Sequence, residues 1–167
     1  MPKKPSRKSA LTALIAVLLV LAVWTVRESR REPALPPGGE WRTVLRVVDG
    51  DTLILDGEER VRLIGVDTPE SVDPRRPVEA FGKEAAAFTR RLAEGRRVRL
   101  AYDEQRIDRY GRTLAYVYLE GGTFLNAEII RQGYGHAYTR LPFAYAEQFL
   151  QYEREAREAR RGLWAEQ

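Results

Sequence analysis

Apolar and polar positions fall into three regimes along the chain, and each predicts a different kind of structure. From Ser9 to Val26 there are 18 residues without a charge, rich in Leu, Val and Ala, so no helical phase gives this run a polar face. It suits a membrane-spanning helix, which takes about 20 apolar residues, or the apolar region of a long secretory signal; a buried core helix is the third alternative. Residues Glu32–Glu40 hold Pro33, Pro36, Pro37, Gly38 and Gly39 and predict a linker.

From Trp41 onward the runs are short and strand-like. Trp41–Val48, Thr52–Asp56 and Arg60–Val66 predict three strands, parted by the turn signals Asp49-Gly50 and Asp56-Gly57. Val78–Leu92 predicts a helix, because Phe81, Ala85, Phe88 and Leu92 recur at spacings of four, three and four and Gly95 follows as a stop. Arg97–Tyr102 and Thr113–Leu119 predict two further strands. Phe124–Gln132 predicts a short helix ended by Gly133, and Phe143–Arg161 a long one ended by Gly162. This succession predicts a small α+β domain built on a twisted sheet or barrel. The organisation read from these regimes is a basic N-terminus at 1–8, a signal anchor or long signal peptide at 9–26, a linker at 27–40 and one domain at 41–167.

Charge changes the picture once it is divided. Residues 1–31 hold Lys3, Lys4, Arg7, Lys8, Arg27, Arg30 and Arg31 against Glu28, a net +6 that leaves the remaining residues at −2 of the overall +4. The body is therefore not a uniformly basic nucleic-acid binder, and any anion it holds must be gripped locally. Only four of the 28 basic residues are Lys; guanidinium groups suit phosphate, although codon usage alone gives the same bias. A short basic N-terminus usually stays inside, which exports the body. The expected location is the cell membrane with the domain outside, or the medium if the N-terminal segment is cleaved.

The chain has no Cys and one His. That excludes a disulfide scaffold, a thiolate zinc site, a cysteine nucleophile and a multi-histidine metal centre. Chemistry falls to carboxylates, hydroxyls and guanidinium groups. The densest polar cluster is Asp49-Gly50-Asp51-Thr52 together with Arg62 and Val66-Asp67-Thr68-Pro69-Glu70. Asp51 opens one strand and Asp67 closes the next, so pairing of the two strands would bring both carboxylates to one barrel end. Two carboxylates without nitrogen or sulfur ligands favour a hard cation such as Ca²⁺ or Mg²⁺. Asp-Gly and Asp-Thr-Pro are also ordinary turn compositions, and the ligand spacing of an EF-hand is absent. A second cluster, Asp108-Arg109-Tyr110-Gly111-Arg112, could contact phosphate and stack on a base, or form a charged surface turn. His136 is expected to be packed or hydrogen-bonded, Tyr116 and Tyr118 to pack in the sheet, and the charge run Glu153–Arg161 to be a solvated helix face.

These motifs, with Phe81-Gly82-Lys83-Glu84-Ala85, Arg131-Gln132-Gly133 and Gly162-Leu163-Trp164, resemble the staphylococcal (micrococcal) nuclease family from about Trp41 to Trp164. The resemblance implies a five-stranded OB-type β-barrel with three helices, here preceded by an N-terminal hydrophobic helix, and a Ca²⁺-dependent endonuclease of DNA and RNA, with single strands favoured and a monomer expected. It implies Asp51, Asp67 and the Thr68 carbonyl as Ca²⁺ ligands, Arg62 and Arg112 on the scissile phosphate, and Glu70 on the attacking water. Arg109, Tyr110 and Tyr138 fall where the family contacts the nucleotide. Arg140 departs from it, standing where the family prototype carries a second tyrosine. The alternative expectation is a non-catalytic OB-fold module that binds nucleic acid without cutting it.

Overall fold

The computed structural model describes residues 16–17, 40–71 and 80–165. Contacts divide the chain into two units, Met1–Ala34 and Leu35–Gln167, and everything below concerns the second. The proposed anchor, apart from residues 16–17, and the linker up to residue 39 lie outside the described residues. Among the described residues no helix is long and apolar enough to cross a membrane.

Five strands close a barrel: β1 (Arg42–Asp49), β2 (Thr52–Leu55), β3 (Arg60–Leu63), β5 (Arg97–Ala101) and β6 (Thr113–Leu119), in the order β1-β2-β3-β6-β5. β3 and β6 run parallel and the other neighbours antiparallel. Two short strands, β4 (Val66–Asp67) and β7 (His136–Ala137), pair beside the barrel. Among the described residues three α-helices complete the domain: α1 (Gly82–Ala93), α2 (Leu125–Arg131) and α3 (Ala146–Glu158). The core follows the sequence alternation. In β3, Val61 and Leu63 are buried while Arg60 is exposed and Arg62 half-buried, so one face of the strand carries two guanidinium groups. Tyr118 stacks on Phe124 at 4.7 Å between centroids, and Tyr116 meets Tyr145 edge-on at 4.8 Å. Both tyrosines pack in the interior, as their alternation predicts.

Several element boundaries differ from the sequence expectation. The third strand ends at Leu63 rather than Val66, because Gly65 takes a left-handed φ of 72° and a Cβ there would lie 2.5 Å from the Phe143 ring. The chain turns at this corner and resumes as β4. Asn126, fully buried, fixes the corner by donating to the Ile64 carbonyl at 2.9 Å and accepting from the Val117 amide at 2.9 Å. The described part of α1 starts at Gly82, after Phe81 at a φ of 70°. The last helix begins at Ala146, because Asp103 captures the residues before it. The Ala144 amide donates to Asp103 Oδ2 at 2.8 Å, and the Tyr116 hydroxyl donates to the same oxygen. At its other end α3 stops at Glu158, two residues before Arg160 turns to a φ of 50°.

Asp103 thus ties the 138–145 loop to the barrel, with a consequence for acid stability. Partial burial pushes its carboxyl up, but the Tyr116 hydroxyl and the Ala144 and Glu104 amides outweigh that and hold it below the usual carboxylate range. A depressed carboxylate stabilises the fold above its unfolded value, near 3.9, and the contribution fades as pH falls through the folded value. Asp103→Asn should therefore cost about 1–2 kcal/mol at neutral pH and less in acid. Urea denaturation of both proteins at neutral pH and near pH 3 checks this; a gap that does not narrow in acid rules it out.

Candidate active site

Three chain segments converge at one end of the barrel. The β1–β2 turn carries Asp49 and Asp51, the corner after β3 carries Asp67 to Glu70, and the loop before β6 carries Asp108 to Arg112. Close approach of the first two depends on Gly50, where a Cβ would lie 2.7 Å from Thr68 Oγ1. From the other side the buried Thr89 hydroxyl of α1 holds this turn by donating to the Gly50 carbonyl at 2.6 Å.

Asp51 is 1% exposed. Its Oδ1 accepts from the Thr52 hydroxyl at 3.0 Å and from Arg62 Nη1, and its Oδ2 accepts from the Thr68 amide at 3.1 Å and the Thr68 hydroxyl at 3.2 Å. These four donors match the acceptor sites of a carboxylate. Arg62 Nη2 donates to Asp67 Oδ1 at 3.0 Å and to the Val66 carbonyl at 2.9 Å. One guanidinium therefore bridges the two carboxylates that the sequence reading singled out. The Asp67 side chain is 53% exposed, that of Arg62 only 18%. Burial draws the Arg62 guanidinium below its usual range, Asp67 opposes that, and nearby Arg112 adds like-charge repulsion. Arg62 pairs with Leu114 of β6, two residues after Arg112, and both arginines line one cleft at this end of the barrel.

Arg112 is held by Asp108, whose Oδ2 accepts from Arg112 Nε at 2.7 Å and whose Oδ1 accepts the Tyr110 and Arg112 amides at 2.8 and 3.0 Å. Burial raises the Asp108 carboxyl, but these bonds outweigh it and hold the group below the usual range. The tight loop presents Tyr110, 68% exposed, with the Arg109 guanidinium 4.7 Å from its ring centroid. Tyr138 sits across the cleft on the loop after β7, its amide on the Gly65 carbonyl at 2.9 Å, with Arg140 5.9 Å from its ring.

These residues border an open cleft of about 1150 Å³. Of the nine predicted site residues, Asp51, Arg62, Asp67, Glu70, Arg109, Tyr110, Arg112 and Tyr138 line it. Thr68 does not, and stands behind Asp51 as its hydrogen-bond donor. Asp49, read in the sequence as a turn residue, also lines the cleft. It is buried and accepts from the Ser71 hydroxyl at 2.6 Å and the Gly50 amide at 2.9 Å. Burial raises its carboxyl, and the neighbouring Glu70 raises it further. Its burial depends on the return of Glu70 and Ser71 from the next hairpin, which local sequence does not signal. His136, also at this end of the barrel, is hydrogen-bonded as expected, through Nδ1 to Glu153 at 3.1 Å. Glu153 is accordingly largely covered, while Arg157 to Arg161 lie on the solvated face.

The donors fit a hard cation in kind, since Asp51, Asp67 and the Thr68 carbonyl offer only oxygen. No group of three or more metal-ligating side chains is gathered among the described residues, so a two-carboxylate site needs backbone and water oxygens to complete it. Arg62 already bridges both carboxylates, and a metal ion on the same oxygens has to displace part of that contact.

Sequence comparison agrees with this geometry. The family model described as "Staphylococcal nuclease homologue" matches residues 60–166. The thermonuclease of Staphylococcus hyicus is 44% identical over 126 residues, covering 73% of this chain and 74% of that protein. The thermonuclease of Staphylococcus intermedius is 45% identical over 130 residues, 75% of this chain and 77% of that protein. Endonuclease YncB of Bacillus subtilis is 34% identical over 129 residues, 74% of this chain and 61% of that protein.

Proposed function

The chain belongs to the staphylococcal nuclease family, and from that membership and the cleft we propose that it is a Ca²⁺-dependent endonuclease that hydrolyses phosphodiester bonds of DNA and RNA. The observation that carries the reading is the convergence of Arg62 and Arg112 on a cleft that also holds Glu70, Asp51 and Asp67. Phosphodiester hydrolysis needs few covalent partners from the protein. It needs a positioned water and cationic donors aimed at the charge that develops on phosphorus oxygens. Asp51, Asp67 and the Thr68 carbonyl would hold Ca²⁺, which supplies charge stabilisation to the phosphate oxygens and acidifies bound water.

The remaining steps belong to side chains. Arg112, anchored through Nε to Asp108, offers its terminal nitrogens to the scissile phosphate. Arg62 approaches from β3 and contributes the second guanidinium. Glu70 orients the attacking water and accepts its proton. The exposed Tyr110 ring and Tyr138, with Arg109 beside Tyr110, suit unpaired bases, which stack on aromatic faces in any sequence. That favours single-stranded substrates. The apolar run 9–26 supports a membrane tether with the nuclease domain exported, or a secreted enzyme if that run is cleaved.

The test uses the full-length protein, taken from whichever of the membrane or soluble fractions contains it, with single-stranded DNA and RNA in added Ca²⁺ and then in excess chelator. Internal cleavage that stops on chelation is the expected result. Cleavage that persists with chelator removes Ca²⁺ from the reading, and binding without cleavage replaces it by a non-catalytic OB-fold module.

A further inference from the structure

We propose that Arg60 is a second phosphate-binding residue, which holds the phosphodiester next to the reacting one and makes a polynucleotide, rather than a single nucleotide ester, the preferred substrate. The inference rests on the nuclease reading above and adds to it a residue that neither the motifs nor the family resemblance singled out. Arg60 and Arg62 are two apart on β3, with Val61 buried between them. Alternation puts both side chains on the same face of the strand, roughly 7 Å apart along it, comparable to the separation of successive phosphates on an extended single strand.

The ladder fixes that placement on both sides. Arg60 pairs with Ile54 and Arg62 with Thr52 on β2, while Val61 pairs with Thr113 of β6, directly after Arg112. Arg60 therefore lies on β3 alongside the start of β6, where Arg112 leads in, and it lines the same cleft. Its charge differs from its neighbours' in being uncommitted. The Arg62 terminal nitrogens already bond Asp51, Asp67 and the Val66 carbonyl, which a phosphate must share, and Arg112 Nε bonds Asp108. Arg60 is exposed and has no ion pair among the described residues. A body that is net acidic overall thus keeps a free cation one strand repeat from the proposed scissile phosphate. Exposed guanidinium forks match phosphate oxygens in geometry and charge.

The experiment compares the full-length protein with R60Q and R60K on two substrates: a single-stranded oligothymidylate, and a thymidine nitrophenyl phosphate whose one phosphodiester is the scissile one. R60Q should raise KM for the oligonucleotide about fivefold to tenfold, with an effect on the ester several-fold smaller, and R60K should restore most of the loss. Binding of the same oligonucleotide, followed by fluorescence anisotropy across a salt series, should lose about 0.7 from the slope of log K against log salt, the share of one single-strand phosphate contact. Equal losses on both substrates, or an unchanged salt slope, overturn the proposal. If the wild type cleaves neither substrate, the nuclease reading fails instead, and the salt slope still decides whether Arg60 touches a phosphate.

Discussion

Arg112→Gln should lower kcat on single-stranded DNA by about 10²–10³-fold while leaving KM within a few-fold of wild type. The expectation comes from how Arg112 is held. Asp108 takes its Nε at 2.7 Å and its backbone amide at 3.0 Å, which fixes the side chain without using either terminal nitrogen among the described residues. A donor pair fixed in advance costs nothing to orient as charge builds on the phosphate, so its contribution appears in kcat rather than in ground-state binding. Arg112→Lys should recover little of the rate, since a point charge cannot both bond Asp108 and present a fork. Steady-state kinetics with a melting curve for each variant decide the matter. A raised KM with unchanged kcat would make Arg112 a binding residue only. A lowered melting temperature matching the lost activity would make it structural.

The two guanidinium groups of the cleft are not equivalent, and this was the least legible part of the site. The sequence placed Asp51 and Asp67 at the ends of paired strands; the β2–β3 ladder brings Arg62 beside Thr52, next to Asp51, whereas Asp67 lies past the Gly65 corner on β4, which pairs with β7. The sequence did not show that Arg62 would lie between them with its donors engaged by both, because that geometry depends on the corner at Gly65. Five barrel strands and three helices were readable from alternation and helical spacing. The β4–β7 pair was not, since strands of two residues carry no period. Asp103 gave no local signal either. Its role appears only when Tyr116 of β6 and Ala144 of the following loop, 13 and 41 residues away, arrive at the same carboxylate oxygen. Strand and helix periodicity and turn chemistry are local properties and can be read from the chain. The partners of a buried polar group are set by tertiary approach and cannot.

Asp51→Asn should abolish measurable cleavage and lower Ca²⁺ affinity by about 100-fold or more, and it separates metal binding from mere scaffolding because Asp67 provides a control. The wild-type carboxylate accepts four hydrogen bonds, from Thr52, Arg62 and twice from Thr68. An amide has one oxygen, so its nitrogen must face donors on the other side. Some stability is lost for that reason alone, about 1–3 kcal/mol; the loss stays below the full cost of an orphaned buried charge because Arg62 keeps Asp67 and the Val66 carbonyl. Asp67→Asn removes a carboxylate that is 53% exposed with one modest ion pair, so it should leave the melting temperature nearly unchanged. If both carboxylates ligate one Ca²⁺ ion, calorimetric titration should nevertheless show comparable losses of affinity in the two variants. Should Asp67→Asn bind Ca²⁺ as tightly as wild type, the shared site is wrong, and the inactivity of Asp51→Asn would then trace to the hydrogen bonds that hold Thr68 and Arg62 in the cleft wall.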